Sequence, residues 1–381
     1  MIVLGAGEVG SYVAERLSKQ GIDVAVVEND AETLRSVEER LDVLVVHGSG
    51  VNPSVLADAG VDRADLLVAV TNDDAVNLMA SLVAKEAGVN STLVRIESEE
   101  LRSESASGLR EVVGADRFID PDAETARDIL ELLELPGASE VEHLAGGEVL
   151  IVGARLSDTS SLVGKTLHQV AGEYEPDWEF LFGTISRDGE TVIPRGNYEL
   201  RPNDMVRVLG RRTYRREIME LLELPLRAPR RVLLLGGGRT AELVAKPLVG
   251  RGSEVVIVER DELRARELAE KLHRVTVLRG DVTDAQVLAD AEIGTFDAVA
   301  ALTGEDDANI ISCLFANSQG AGETLAIAHR LELLPLLNEI GIDAALSPRT
   351  STADRVLALV RGEIAGVATS LEGSVEILEY E

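Results

Sequence analysis

Apolar positions fall into two rhythms along the first third of the chain. "IVLG", "DVAVVE", "DVLVVHG", "ADLLVAVT" and "STLVRIE" are short unbroken runs rich in Val and Leu. They lack polar alternation, so as strands they are buried on both faces. Between them, apolar residues recur at helical spacing. "VGSYVAERLSKQG" reads as a helix ended by Gly21, and "DAETLRSVEERL" as a helix capped by Asp30. "NPSVLADAG" starts a short helix at Pro53, and "DDAVNLMASLVAKEAG" forms a longer one. Strands alternating with helices make a parallel sheet, so the expected fold is a doubly wound α/β domain.

The same series runs twice. Gly5 falls on Gly236, Glu28 on Glu259, Gly48 on Gly280, Thr71 on Thr303 and Thr92 on Thr324. "VLADAG" at 55–60 meets "VLADAE" at 287–292. A match sustained with one gap means a duplicated domain, here 1–135 and 229–357, and the period is too long for a solenoid. Residues 140–222 break the pattern. "EVLIVGARL", "EFLFGTISRDGETVIP" and "DMVRVLGRR" read as strands, with a tight hairpin at Asp188-Gly189. "SSLVGKTLHQVA" is expected to be one helix capped by Ser160 or Ser161, and "YRREIMELLEL" a second. This small α+β module is bracketed by proline-containing linkers. Residues 362–381 resemble only its opening, a second module cut short.

Composition narrows the function. A chain of 381 residues with a net charge of −30 lacks the basic face that nucleic-acid binding needs, and an anionic membrane would repel it. Lysine is scarce and the acids are spread along the chain. That suits a high-salt cytoplasm, where screening removes self-repulsion, or a GC-rich genome with an acidic bias. The single cysteine, Cys313, rules out intramolecular disulfides and reads as a buried small hydrophobe. No apolar run approaches the ~18 residues of a membrane span, and the start does not read as a signal peptide. A cytoplasmic protein is expected, with any membrane role exerted through a partner.

"GAGEVG" follows a strand and opens a helix. Gly5 allows the tight turn, Gly7 lets the backbone approach a pyrophosphate, and Gly10 lets helix and strand pack closely. The helix N-terminus offers free N–H groups and a positive dipole. Glu28 ends the second strand, close to the ~20 residues downstream expected of a ribose ligand. Its charge would repel a 2′-phosphate, so NAD(H) is favoured over NADP(H). The second copy has Gly236, Gly238 and Ala241, with Glu259 after "VVIV". Asp281 there is a candidate adenosine contact, where the first copy has Ser49. The loops from Thr71 and from Thr303 leave the carboxyl edge of the sheets, as ligand contacts or as helix caps. Arg95 can reach a phosphate; its counterpart is Ile327.

No catalytic constellation accompanies these folds. The five histidines scatter, and neither a GxSxG elbow nor a GxxxxGK[ST] loop occurs; "GKT" at 164–166 reads as a helix start. Two nucleotide folds without such chemistry suggest a sensor, not an enzyme.

"LGAGEVG", Glu28, "AVTNDDAVNLMASLVAKEAG", "TLVRIESEE" and "GADRFIDPDAETAR" together resemble an RCK (KTN) nucleotide-binding domain, and "SSLVGKTL" with "ISRDGETVIPRGNYELRPNDMVRVLG" looks like the RCK C-terminal module. The resemblance implies two Rossmann-like domains, each followed by such a module. It further implies a cytosolic regulatory subunit of a Trk-type potassium uptake system, assembled as a ring, a homotetramer, beneath a TrkH-type membrane subunit on the inner face of the membrane. Nucleotide would gate ion flow by favouring one ring shape. By position, Gly5, Ala6, Gly7, Glu8, Val9, Gly10, Glu28, Thr71, Asn72 and Arg95 match a first NAD(H) site. Gly236, Gly237, Gly238, Arg239, Thr240, Glu259 and Thr303 match a second, beside Asp281. Ser49 and Ile327 depart from the family pattern, which makes ATP or ADP an alternative ligand at one site. The helix "DAETARDILELLEL", with a stripe of Ala126, Ile129, Leu130 and Leu133, is a candidate subunit lever or an ordinary packing helix. Competing readings are a tandem NAD-dependent oxidoreductase, the detached gating ring of a potassium channel and an S-adenosylmethionine-dependent methyltransferase.

Overall fold

The computed structural model describes residues 1–102, 108, 112–174, 179–360, 367–369 and 376–378. In the first repeat β1 (Ile2–Leu4), β2 (Ala25–Glu28), β3 (Leu44–His47), β4 (Leu66–Ala69), β5 (Ser91–Arg95) and β6 (Arg117–Ile119) form one sheet in the order 3-2-1-4-5-6. All of its pairings are parallel. The crossovers include α1 (Glu8–Lys19), α2 (Ala31–Arg40), α3 (Pro53–Asp58) and α4 (Asp74–Glu86). The local signals act as expected. Asp30 Oδ1 accepts the Thr33 amide at 2.7 Å and starts α2, and Pro53 opens α3.

A module follows, with β7 (Glu140–Leu144), β8 (Val149–Arg155), β9 (Phe180–Arg187), β10 (Glu190–Val192) and β11 (Met205–Arg211) in the antiparallel order 10-9-11-8-7. Asp188 and Gly189, with φ of 52° and 78°, form the β9–β10 hairpin, the left-handed pair that matches strand twist. Two expectations are corrected here. The helix in "SSLVGKTLHQVA" begins only at Leu167, because Gly164 turns the chain at φ 82°. The Thr166 amide then donates to Gln169 Oε1 at 2.8 Å and starts the helix. The edge strand β7, "EVEHL", is additional. It is mostly polar and lacks the Val-rich run that marks the others.

The second repeat repeats the first. β12 (Arg231–Leu235), β13 (Glu254–Glu259), β14 (Val275–Arg279), β15 (Ala298–Ala301), β16 (Glu323–Ile327) and β17 (Ala344–Leu346) are again ordered 3-2-1-4-5-6 and parallel. Residues 367–369 and 376–378 pair antiparallel; the rest of 362–381, where a second module is expected, lies outside the described residues.

Contacts divide the chain into residues 1–124 with 348–362, and 125–347 with 363–381. The helix after each sixth strand is therefore exchanged. The helix Pro121–Glu134 has Ala126, Ile129, Leu132 and Leu133 in one core with Val232, Leu234 and Leu268. The helix Pro348–Val360 has Ala353, Val356 and Leu357 in one core with Val13, Leu17 and Val37. The stripe read from the sequence is a packing face, and it belongs to the other repeat's sheet.

Candidate functional site

Gly5 carries φ +96° and Gly236 +102°, a left-handed turn that an L side chain adopts only under strain. It brings the chain back over the end of the first strand. A Cβ on Gly5 would lie 3.0 Å from Thr71 Cγ2, and one on Gly236 3.0 Å from Thr303 Cγ2. Each turn thus sits against the loop from the fourth strand. Gly7 is the N-cap of α1 and Gly238 that of the helix Arg239–Gly250; neither supplies a side-chain cap. The space on their side-chain face is open to 4 Å. Neither helix N-terminus has a side-chain cap, the arrangement that receives a phosphate.

Glu28 is half-buried above this turn and is not idle. Oε2 accepts the Ala6 amide at 2.7 Å, and Oε1 accepts those of Asn29 and Asp30 at 2.7 and 2.8 Å. Glu259 does the same with Gly237 and Asp261, both at 2.7 Å. The carboxylate clamps the glycine loop to the end of the second strand. A carboxylate has about four acceptor positions, so little is left for two ribose hydroxyls unless an amide lets go.

Thr71 and Thr303 belong to a clasp that the sequence reading missed. Asn77, fully buried in α4, accepts Thr71 Oγ1 at 2.6 Å and its amide at 3.0 Å. Its own amide group donates to the carbonyls of Thr71 (2.9 Å) and Arg95 (3.1 Å). Asn309 repeats all four bonds with Thr303 and Ile327. The signal was there: both repeats place Asn six positions after the loop threonine. The threonine hydroxyls are thus committed to holding the loop, and Asp73 Oδ1 caps α4 through Ala75 and Val76. Asn77→Ala should lower the stability of the first unit by about 1–2 kcal/mol and speed amide exchange in residues 70–76. Unaltered protection of that loop would refute the clasp.

Arg95 reaches Asn72 Oδ1 at 3.0 Å and pairs with Glu97. Its Nε is buried without a hydrogen-bond partner. Gly5 is therefore brought against Thr71, and Asn72 to Arg95; Ala6 is bound to Glu28, and Ala6, Gly7 and Glu8 line the cleft. In the second repeat Asp306 accepts the amides of His329 and Arg330 and both side chains. Burial would raise its pKa, but these bonds hold it at about 2. Arg330 therefore does not replace Arg95. Asp281 Oδ1 is engaged by Thr283 in a local turn. Burial pushes the Cys313 thiol to about 12, as befits an inert core residue.

The repeats differ most between the first two helices. In the first, a cleft of about 470 Å³ runs from Ala6–Glu8 along Ser11 to Thr33, Ser36 and Arg40, with Arg349 at its edge. In the second, the positions of Ser11, Thr33, Ser36 and Arg40 hold Glu242, Arg264, Glu267 and Lys271. The buried Glu242 carboxylate receives Lys246 and Lys271 at 2.7 Å and Arg264 at 3.3 Å. Arg264 Nε also donates to the Gly237 carbonyl at 2.8 Å. Burial opposes ionisation of Glu242, yet hydrogen bonds from the two lysines hold it at about 2.

Paired doubly wound sheets with glycine turns before helices that lack a side-chain cap define a tandem protein of the Rossmann-like nucleotide-fold class. The TrkA-N domain model matches residues 1–121 and 232–348. The chain is 34% identical over 381 residues to the Trk system potassium uptake protein TrkA of Halomonas elongata, covering 100% of this chain and 83% of that one. It is 33% identical to the TrkA homolog of Archaeoglobus fulgidus, covering 99% and 84%. The chain belongs to the TrkA family of Trk potassium uptake proteins. Among solved structures, the GsuK RCK domain aligns at TM-score 0.66 and 18% identity over 95% of this chain and 76% of that one. The GsuK channel bound to NAD aligns at 0.66 and 18% over 94% and 63%, and GsuK bound to ADP at 0.58 and 15% over 95% and 69%.

Proposed function

We propose that this chain is the cytosolic regulatory subunit of a Trk-type potassium uptake system. NAD(H) or an adenine nucleotide binds on the glycine loops and gates a membrane potassium-transporting partner of the TrkH type. The carrying observation is the pair of helix N-termini without a side-chain cap, open at Gly7 and Gly238. Support comes from the names of the relatives and from the nucleotides in the GsuK titles. No helix among the described residues is long and apolar enough to cross a membrane. In this reading the partner supplies the pore and holds the subunit at the inner face. Assembly is a ring, a homotetramer. The protein is not an enzyme in this reading, and nucleotide acts through its differential affinity for two ring shapes.

Calorimetric titration in molar KCl tests it, with NADH, NAD, ATP, ADP and S-adenosylmethionine on wild type, Glu28→Ala and Glu259→Ala. Glu28→Ala is expected to weaken NADH at the first site about tenfold by loss of charge-assisted bonds and of the loop clamp. Binding of S-adenosylmethionine alone, or of nothing, would end the reading.

A further inference from the structure

The first repeat has a cleft between α1 and α2, and at the corresponding positions of the second repeat stands a cluster of charged side chains that shows what such a place can hold. The anion of that cluster is the Glu242 carboxylate, bound by Lys246, Lys271 and Arg264. The first repeat has Ser11 where that carboxylate begins, Thr33 and Ser36 in place of Arg264 and Glu267, and Arg40 in place of Lys271. The Glu242 carboxylate has no counterpart, hydroxyls line the space, and one cation stays, while the position of Lys246 holds Glu15, paired with Lys19 at 2.6 Å. A second cation arrives from the far end of the chain. Arg349, on the exchanged helix Pro348–Val360, pairs through Nη2 with Glu8 Oε1 at 2.6 Å. Its Nε is buried with no hydrogen-bond partner. The cleft also contains Asp30 and Glu32; Asp30 is engaged in capping α2, and Glu8 is neutralised by Arg349.

The geometry points to a phosphoryl subsite in this cleft, where Arg349 and Arg40, with the hydroxyls of Thr33 and Ser36 and that of Ser11 once it turns from the Gly7 carbonyl, hold a phosphate that the glycine loop does not. The inference rests on nucleotide binding at the first repeat, since the cleft begins at Ala6–Glu8. A phosphate there displaces Glu8 from Arg349, because a guanidinium fork gives a dianion stronger paired bonds than a single carboxylate that is 59% exposed and can return to water. Two sources carry such a group: the 2′-phosphate of an NADP-type dinucleotide and the third phosphate of a nucleoside triphosphate. The repulsion expected from Glu28 toward a 2′-phosphate is weakened by the three amides that hold it.

The test is calorimetry of two ligand pairs, NADP⁺ with NAD⁺ and ATP with ADP, on wild type, R349Q and E8Q. One pair is expected to show a preference of about tenfold for the member with the extra phosphate, as charged hydrogen bonds give; that pair names the source. R349Q should bring the pair within about twofold while NAD⁺ and ADP bind as before. E8Q, which frees the guanidinium, should enlarge the preference. Equal affinity within both pairs in wild type, a preference that survives R349Q, or one that E8Q leaves unchanged overturns the subsite. If NAD⁺ and ADP bind without preference, only the subsite falls; if no nucleotide binds, the proposed function falls with it. Should R349Q not fold, the E8Q titration decides alone.

Discussion

Glu323→Gln is expected to stabilise the protein at pH 8 by about 2 kcal/mol and to change nothing near pH 4. Glu323 stands at the first position of β16 and is buried. Its Oε1 accepts the Gly137 amide at 2.9 Å, and Oε2 is buried with no hydrogen-bond partner. Burial raises the carboxyl to about 7, helped by Asp343 and opposed by the Gly137 bond. The ordinary value near 4.5 is retained on unfolding. A raised folded pKa means that the folded state holds its proton longer. Its contribution is fully present below about pH 4.5 and is lost as pH rises through 7. Gln keeps the acceptor for Gly137 and removes the ionisation. Urea unfolding at pH 4, 6 and 8 measures this, and wild-type and variant curves that stay parallel from pH 5 to 8 would refute it. The first repeat has Ser91 at the equivalent position, so this carboxyl is an addition that fastens the linker after the exchanged helix.

Much of this was readable from the chain, and the failures share a cause. The strands of both repeats lie where the Val-rich runs predict, since a central parallel strand must be apolar on both faces. The glycine turns, the Asp30 cap and the Asp188-Gly189 hairpin are set by local backbone chemistry. Local signals stop at the question of which partner a face meets. The stripe Ala126, Ile129, Leu133 announces burial, but nothing in its period says that it covers β12 of the second repeat. Strand β7 escaped because an edge strand needs no apolar run. The sequence pattern offers Glu28 as a ligand contact and the Thr71 loop as a ligand contact or a helix cap, whereas the strongest bonds of both residues hold the loops that a ligand would touch. Only comparison of the repeats separates the two functions. What recurs, such as the Asn77 and Asn309 clasps, is scaffold; what differs, such as Ser11 against Glu242 or Arg95 against Ile327, is where the two clefts acquire separate properties.

The largest stability effect is expected from that difference, in Glu242→Gln. At pH 7 the wild-type carboxylate satisfies Lys246, Lys271 and Arg264. Removing its charge takes from Lys246, Lys271 and Arg264 the anion they share, and breaking a buried pair is costly even though Arg264 keeps Glu267 at 3.4 Å. Both lysines are more than two-fifths exposed, so water screens part of the repulsion. The expected loss is about 3 kcal/mol at pH 7. The sign of its pH dependence opposes that of Glu323. The folded Glu242 sits at about 2 against 4.5 unfolded, so its contribution is present above about pH 4.5 and fades as pH falls toward 2. Wild type and Glu242→Gln should therefore converge in acid, whereas wild type and Glu323→Gln should diverge in base. Molar KCl should shrink the Glu242 effect without removing it, because salt screens the Coulombic part and leaves the hydrogen bonds. Chemical denaturation at pH 3 and 7, at low salt and in molar KCl, decides the matter. A Glu242→Gln deficit that is the same at both pH values would mean that the carboxylate is not the anion organising this cluster, and the contrast between the charged cluster of the second repeat and the open cleft of the first would lose its electrostatic basis.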